Sequence, residues 1–442
     1  MVAPGREIVL DARVLGAGIV AALLAGIVAT VIPTMLLSRG DMVDAIRSSH
    51  QIAGTGGRLR NTLVIAQVAL ACALLVSAGV LVKSFLRLMA VDPGFDRRGT
   101  LTARLWLPGS YETSAEQQRF FDAVLHRVRA LPGVRAAATI QDLPLRGNAM
   151  TFDLDVDSGL RSSAAYRVVS EGYFDTMRIP MLRGRTFGTV DGPTAPHVFI
   201  VNAALARRAF AGADPIGHRV RLGDDGAWGT IVGVAGDVKH MGLDADEVPA
   251  IYEPASQKTF DWLRWTTLVL RTDGPADALA IPLRRAVMEV DPNQPVFEIV
   301  TLEDVLGTTV VKQRMSAWIV GAFGVTAFCI GLIGVGGVLS YAVALRTREL
   351  GVRLALGARP AEMVRLVLAD GGRLVIPGVL IGFAIAVSVA PLLDRLLFRI
   401  AALDWQVYAG VAAAVLVAGA LAAMVPARRA ARLDPAQVLG AE

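Results

Sequence analysis

Five stretches of the chain contain no charged residue over at least about the 20 residues that a helix needs to cross a bilayer. They are residues 14–37, 63–82, 315–345, 374–393 and 405–426. The alternative is that they form buried core helices of a soluble protein, but five such lengths would leave little polar surface to cover them. The pattern therefore predicts five transmembrane helices.

The periodicity changes between the second and third stretches. The sequence TLTARLWL (100–107) alternates as a half-buried strand does, and Thr113 with Glu116 forms a capping box ahead of an apolar helical stripe. Pro132 and Gly133 end that helix before the strand VRAAATI. Further predicted strands are HVFIVN, RVRLG, GTIVGVAGDV and TTLVLRT, and further predicted helices are AALARRAF and ADALAIPLRRAVMEV. This mixture predicts an α+β domain of about 230 residues.

Charge decides the orientation. The chain is 54% apolar and only 19% charged, and arginine in short loops near spans marks the cytoplasmic side. Thirteen arginines follow the first, third and fifth stretches, and four lie at the opposite ends. Segments 38–62, 346–373 and 427–442 are therefore predicted to be cytoplasmic, and 1–13 and 83–314 to lie outside. The predicted fold class is membrane α-helical, with about five transmembrane helices and one large α+β extracytoplasmic domain.

The isoelectric point near 9.5 could indicate a nucleic-acid-binding protein. The arginines, however, concentrate at the ends of the apolar stretches, where they fix orientation and contact anionic lipid. We therefore expect membrane lipid, and no nucleic acid, as a partner. Both cysteines, Cys72 and Cys329, lie inside apolar stretches, so the segment 83–314 cannot hold a disulfide.

The sequence contains none of the common motifs for catalysis or nucleotide binding. It has no HExxH pair of histidines, no G-x-S-x-G turn and no GxxxxGK[ST] phosphate-binding loop. Asp153, Asp155 and Asp157 alternate along FDLDVD, and a solvated strand face accounts for them better than a metal site does. We expect no catalytic residue, no cofactor and no metal, and hence a protein that is not an enzyme.

The start of the chain resembles its end. Residues 9–46 align without a gap with residues 402–439, and Pro33, Arg39 and Asp41 coincide with a proline, an arginine and an aspartate there. Small apolar residues match between any two spans, but these matches favour a structural unit used twice over coincidence.

The stretch after the third span resembles the cytoplasmic segment of the FtsX/MacB-like permeases, the ABC transporter membrane subunits with a large extracytoplasmic domain. It reads RTRELGVRLALGARPAEMVRLVL (346–368), and the ending PARRAARLDPAQVL (426–439) resembles their closing motif. The stretches EGYFDTMRIPMLRGRTF, FIVNAALARRAFAGADPIGHRVRLG and TIVGVAGDVKHMGL resemble the MacB-type periplasmic core domain. The resemblance covers most of residues 60–442.

The resemblance extends to duplicated permeases, in which two four-span units are fused. It implies that residues 8–46 are the last helix and tail of a first unit, and that a complete second unit follows. The implied partners are a cytoplasmic ABC ATPase subunit and a second permease unit, which a homodimer or a separate half would supply. ATP hydrolysis is expected only in the ATPase partner.

In this architecture the segment 346–373 would receive the movement of the ATPase. The predicted coupling residues supply charge and apolar contacts, and they are Arg346, Arg348, Glu349, Leu350, Arg353, Leu354 and Gly357. The alternative is a membrane-surface helix with snorkelling arginines. Gly26, Gly378 and Gly382 are predicted helix-packing positions, since small residues let membrane helices approach closely.

The predicted function is that of a permease subunit in a bacterial inner membrane, which transmits ATPase movement to a periplasmic domain acting on an exported substrate. The alternative is a membrane-anchored extracytoplasmic sensor or scaffold without an ATPase partner. A sensor normally ends in a cytoplasmic signalling domain, whereas this chain stops about 16 residues after its last predicted span.

Overall fold

The computed structural model describes residues 52–147, 150–210, 212–224, 226–260, 264–393 and 403–431. The predicted span 14–37, Gly26 and the tail from residue 432 lie outside these residues. The chain forms two compact units. In the described part, a helical unit contains residues 52–73, 325–385 and 412–431, and a mixed unit contains residues 74–324 and 386–411.

The described residues form ten α-helices and eleven strands. The helices are α1 (Ile52–Met89), α2 (Ser114–Arg129), α3 (Tyr173–Met177), α4 (Ala203–Phe210), α5 (Ala280–Met288), α6 (Leu302–Thr309), α7 (Val311–Leu345), α8 (Thr347–Ala355), α9 (Pro360–Leu393) and α10 (Trp405–Ala431). The strands are β1 (Thr100–Trp106), β2 (Val134–Ile140), β3 (Thr151–Val156), β4 (Arg161–Val169), β5 (Met181–Gly184), β6 (Val198–Asn202), β7 (Arg219–Leu222), β8 (Gly229–Ala235), β9 (Ala250–Pro254), β10 (Trp265–Thr272) and β11 (Val296–Thr301).

Four helices, α1, α7, α9 and α10, are long and apolar enough to cross a membrane. Each contains one of the predicted apolar stretches from 63–82 onward. Hydrocarbon offers no hydrogen-bond partner to a backbone, and a continuous helix satisfies its backbone groups internally. The amino-acid composition and the geometry of these helices therefore agree.

In the mixed unit, four strands form an antiparallel layer in the order β11, β1, β10, β2. The chain makes this layer from two β-α-β halves, β1-α2-β2 and β10-α5-β11, and each half is split by a strand of the other. The capping box that starts α2 is confirmed, because the Thr113 side chain accepts from the Glu116 N–H at 3.2 Å and the Glu116 carboxylate accepts from the Thr113 N–H at 3.1 Å. Helices α2 and α5 cover one face of the layer around Leu105, Val124 and Leu283.

Strands β3 to β9 are inserted between β2 and β10. Six of them close into a ring in the order β4, β3, β7, β8, β6, β9, because β9 returns to pair in parallel with β4 at Ala165 and Ala250. All six strands contribute to one apolar cluster, which includes Leu154, Phe199 and Ile231. The layer joins the ring where β2 meets β4, with Ile140 opposite Val169 and the Gln141 N–H donating to the Val168 carbonyl at 2.9 Å.

The chain enters and leaves the layer at the same end. Thr100 at the start of β1 lies beside Arg271 near the end of β10, and Leu101 lies beside Thr301 at the end of β11. Helix α1 precedes β1, and α6 and α7 follow β11. Leu88 of α1 and Leu306 of α6 belong to the cluster on the face of the layer opposite α2 and α5. Within the mixed unit, this end of the layer is therefore the end at which the chain connects to α1 and, through α6, to α7.

In the helical unit, α1 and α9 approach closely at two glycines. A Cβ at Gly378 would lie 2.7 Å from the Val68 side chain, and a Cβ at Gly382 would lie 2.6 Å from the Ala69 carbonyl oxygen. Helix α7 approaches α1 at Gly334, where a Cβ would lie 2.7 Å from the Gln67 side chain. Half of the residues in an 18-residue apolar stretch of α1 are buried, against 39% for α9 and 17% for α7 and α10. Helix α1 is therefore the most enclosed of the four helices.

The mixed unit buries the polar side chains of Arg167, on strand β4, and His240. Arg167 is fully buried, donates to the Tyr166 carbonyl at 2.9 Å and lies 3.9 Å from the Asp142 carboxylate. His240 is also buried, and its Nε2 lies 3.3 Å from the Tyr252 hydroxyl. Burial, and next the charge of Arg167, hold the pKa of His240 well below its usual value. Hence His240 is neutral in the folded protein.

We expect Gly382→Ala to destabilise the helical unit by about 1–3 kcal/mol, because the new methyl group meets a backbone oxygen and the Cys72 Cβ and a rigid helix pair relieves such overpacking poorly. The measurement is the thermal unfolding midpoint of the full chain in detergent. Gly321→Ala in α7 is the control, since its methyl group meets nothing within 4 Å. Equal midpoints for the two variants would show that α1 and α9 are not in close contact.

The buried His240 makes stability depend on pH. Its folded-state pKa is lowered, so the unfolded chain binds the proton more readily below about pH 6.5, and stability falls with decreasing pH by up to about 1.4 kcal/mol per pH unit. We expect His240→Gln to remove this part of the dependence between about pH 6.5 and 5. Denaturant unfolding of the full chain at several pH values measures it. An unchanged pH dependence in the variant would contradict a neutral buried His240.

Candidate functional site: the two faces of α8

The predicted coupling residues lie on and around α8, a nine-residue helix between α7 and α9. Its residues fall on two faces. Leu350 and Leu354 are four positions apart and point inward, while Glu349, Val352, Arg353 and Leu356 follow the i, i+3, i+4, i+7 spacing of one outer face. Glu349 and Arg353 are among the predicted coupling residues, and Val352 and Leu356, which were not predicted, lie on the same outer face.

The inward face of α8 packs on the ends of α9 and α10. Leu350 is buried with Met363 and Val367 of α9 and with Ala427 and Ala430 of α10. Leu354 packs against the same cluster. Leu350, one of the predicted coupling residues, thus fixes α8 to α9 and α10 and is enclosed in this cluster, and its role in coupling stays a prediction.

The outer face of α8, which we call the docking face, consists of Glu349, Val352, Arg353 and Leu356. The Leu356 side chain is 83% exposed, and Val352 beside it on the same face is 39% exposed. Arg353 donates to Glu349 at 2.6 Å across one helical turn. Both groups are about half exposed, so the pair contributes little to stability. The docking face combines apolar area with a positioned pair of opposite charges.

Gly357 ends α8 in the left-handed conformation, with φ of +94°. The Ala358 N–H donates to the Arg353 carbonyl and the Gly357 N–H to the Leu354 carbonyl, both at 3.0 Å. These two bonds form a Schellman motif, which satisfies carbonyls at the helix end. Ala358 packs against the same apolar cluster as Leu350. The glycine thus sets where α8 stops and where the chain turns toward α9.

An ion pair connects the start of α8 with α9. Arg346 precedes the helix and lies 3.4 Å from the carboxylate of Asp370 on α9, which also accepts from Arg373 at 2.9 Å. Arg348 belongs to α8, but its side chain is outside the described part of the structure. The ion pair between Arg346 and Asp370 thus connects the residue before α8 to α9.

Other candidate sites offer less. Among the described residues, no group of three or more histidine, cysteine or acidic side chains is placed to hold a metal ion. The carboxylate of Asp155 lies 3.0 Å from the Arg161 guanidinium and 2.7 Å from that of Arg221, and the carboxylate of Asp157 accepts from the Arg219 N–H at 2.8 Å. These aspartates are neutralised by neighbouring arginines and backbone.

Comparison with protein families matches two parts of the chain. The MacB-like periplasmic core domain matches residues 62–282, half of the chain, and the FtsX-like permease C-terminal part matches residues 321–435. Together with the four apolar helices, these matches confirm the predicted fold class and a multi-pass membrane protein with a large extracytoplasmic domain.

Individual relatives are similar over much of the chain. A probable syringafactin export ATP-binding/permease protein of Pseudomonas syringae is 26% identical over 67% of this chain and 44% of its own length. The ABC transporter permease YknZ of Bacillus subtilis is 23% identical over 75% and 81%, and the macrolide export ATP-binding/permease protein MacB of Hahella chejuensis is 28% identical over 62% and 42%. The chain thus spans less than half the length of the two ATP-binding/permease relatives.

The periplasmic region of MacB from Actinobacillus actinomycetemcomitans is a solved structure that matches 49% of this chain and 94% of its own, with 14% identity and a TM-score of 0.35. The extracellular domain of YknZ matches 45% of this chain, with 14% identity and a TM-score of 0.32.

We expect Gly357→Ala to loosen the end of α8 by about 1 kcal/mol. The new methyl group meets nothing within 4 Å, so the cost arises only from the left-handed backbone. Hydrogen exchange of the α8 amides in the full chain should accelerate about fivefold. Gly357→Asn should have a smaller effect, because asparagine tolerates this conformation better. Gly337→Ala in α7, with open space around it, is the control; acceleration there of the same size would contradict a specific role of Gly357.

Proposed function

Because the chain belongs to the family of FtsX/MacB-like ABC transporter permeases with a periplasmic core domain, we propose that its α8 receives the movement of a cytoplasmic ATPase and passes it to the extracytoplasmic domain. The coarser statement, that the chain is a permease component of an ABC transporter, follows from the family. The observation that carries the finer proposal is the two-faced α8, which exposes one amphipathic face while its other face is fixed to the ends of α9 and α10.

The chemistry of the docking face fits a protein partner. Val352 and Leu356 provide apolar anchors, and Glu349 and Arg353 provide charges of both signs at positions that a groove on a partner could match. An amphipathic helix that lies in a groove uses this i, i+3, i+4, i+7 pattern. The implied partner is an ABC ATPase subunit, and ATP hydrolysis takes place there.

The path of transmission would use helices with residues in both compact units. Residues 52–73 of α1 lie in the helical unit and 74–89 in the mixed unit, and α7 is divided in the same way at residue 324. We propose that displacement of α8 moves α9 and α10, and that α1 and α7 carry the movement to the extracytoplasmic domain. This domain would then act on a substrate outside the cytoplasm.

We also propose a second permease unit, which a second copy of the chain or a separate half would supply, with lipid around the remaining surface. In α7 and α10, only 17% of the apolar stretch that could cross a membrane is buried within the chain. Trp318, Phe323 and Ile333 are among the most exposed large apolar side chains of α7. Such surface in a membrane is covered by lipid or by another helix.

A photo-crosslinking residue placed at Leu356 in the full chain tests the docking face in cells. The expected product joins the chain to a protein with a GxxxxGK[ST] phosphate-binding loop, identified by mass spectrometry. The same residue at Leu182, an exposed leucine of the extracytoplasmic domain, is the control and should not give that product. Cross-links from Leu356 to lipid alone would instead support a membrane-surface helix and the sensor or scaffold alternative.

The function of the docking face is tested with the double variant Val352→Glu and Leu356→Glu. ATP-driven activity is measured in vesicles that contain the chain and the ATPase identified by cross-linking. Loss of two apolar anchors should lower ATP-driven activity by tenfold or more, because a few central anchors carry most of an interface's affinity. Arg429→Glu, a change of charge at an exposed position of α10, should have little effect. Full activity of the double variant would exclude the docking face as the ATPase contact.

A further inference from the structure

A pocket of about 380 Å³ in the mixed unit is lined by four arginines. We call it the arginine pocket, and its arginines are Arg98, Arg135, Arg178 and Arg271. Asp96 and Asp273 are its only acidic lining residues among those described, so the lining carries a net charge of +2 from four guanidinium groups and two carboxylates. Arginines gathered around one pocket can serve an internal role, or they can bind an anionic ligand through their guanidinium groups.

One arginine, Arg271, has an internal role. It is 5% exposed and donates to the Thr176 carbonyl at 2.6 Å, to the Arg98 carbonyl at 3.0 Å and to the Asp96 carbonyl at 2.9 Å. It also donates to the Asp96 carboxylate at 3.2 Å. Arg271 thus fixes the loop before β1 and forms the floor of the pocket.

Asp96 remains ionised beneath the other arginines. Burial raises its pKa, but the Arg98 N–H and the charges of Arg271 and Arg178 outweigh burial, so the pKa lies below its usual value. One carboxylate shared by Arg271 and Arg178 offsets a single positive charge.

Three of the lining arginines, Arg98, Arg135 and Arg178, are at exposed positions. Arg178 donates to Asp96 at 2.7 Å but is 55% exposed, and Arg135 lies 3.4 Å from Asp273 in a pair that is more than 60% exposed on both sides. Exposed pairs of this kind hold their side chains weakly. Arg98 has no ion pair within the described residues. These three groups retain donors that can turn to a ligand.

Arg178 is held in an unusual position. Its φ is +54°, in the left-handed region, at the residue that caps α3. Glycine would adopt this conformation without steric cost, so the arginine is present at the expense of backbone energy. The short side-chain contact with Asp96 keeps its guanidinium at the pocket.

The pocket lies at the end of the layer where the chain arrives from α1 and departs to α7. Arg271 pairs with Thr100 at the start of β1, and Arg135 is the second residue of β2, between Val134, which pairs with Thr272, and Ala136, which pairs with Arg271. Only six residues separate Met89, the last of α1, from Asp96. The pocket therefore lies on the membrane-proximal side of the extracytoplasmic domain.

We propose that the arginine pocket binds a phosphate group. Planar guanidinium forks match phosphate oxygens in pairs, and net positive charge beside a membrane favours an anion with several acceptor oxygens. The phosphate belongs either to a lipid headgroup of the outer leaflet or to a soluble phosphate compound. This proposal is independent of the ATPase partner.

The test uses the purified full chain without ATP or ATPase. In one arm, calorimetry measures binding of inorganic phosphate at about 0.15 M salt, where general charge attraction is largely screened. In the other arm, native mass spectrometry counts phosphatidic acid bound to the chain from nanodiscs of phosphatidylcholine with phosphatidic acid. Arg178→Gly removes a guanidinium and also relieves the left-handed backbone, so it should fold at least as well as the natural chain. Arg98→Gln removes a second one at an exposed loop position.

Each variant should weaken phosphate binding about tenfold, the effect of one lost charge-assisted hydrogen bond. Arg208→Gln, at an exposed arginine of α4 without an ion pair among the described residues, should leave binding unchanged. Loss of phosphatidic acid binding in the variants assigns the site to a lipid headgroup, and loss in the inorganic phosphate arm alone assigns it to a soluble phosphate. Either result supports a phosphate site. Absence of binding in both arms, or equal binding by all variants, overturns the proposal.

Discussion

Close backbone contact between α1 and α9 is the interaction on which the helical unit depends. Lipid is as apolar as leucine, so membrane helices associate by packing and not by hydrophobic burial. Gly378 and Gly382 allow α9 to approach α1 where any side chain would meet Val68 or the Ala69 carbonyl. Helix α10 in turn approaches α9 at Gly419, beside Val375. Because α8 packs through Leu350 on the start of α9 and the end of α10, displacement of α8 must either move these helices or separate the cluster.

Periodicity in the sequence predicted those elements whose burial pattern is local. The four described apolar helices follow from continuous uncharged stretches, and the capping box at Thr113 and the strands β1, β2 and β10 follow from spacing between near neighbours in the sequence. The predicted helix 276–290 was less accurate, because its first residues form a 3₁₀ turn (Ala276–Leu279) ahead of α5.

The remaining features depend on contacts between distant residues. Strand β9 is buried at every position, so it lacks the alternation that marks a strand, and its parallel pairing with β4 joins residues 85 positions apart, Ala165 and Ala250. The inward orientation of Leu350 depends on α10, which lies far along the chain. The arginine pocket likewise gathers residues from four segments, and no motif within any one of them indicates it.

The ring is inserted in the chain between two neighbouring strands of the layer, β2 and β10. Strand β2 ends and β10 begins side by side, with Ile140 opposite Thr267, so a tight hairpin of a few residues could join them directly. The ring occupies the place of that hairpin. Insertions are tolerated best where the two chain ends already lie together. An insertion at this point leaves the pairings of β1 with β10 and with β11 intact.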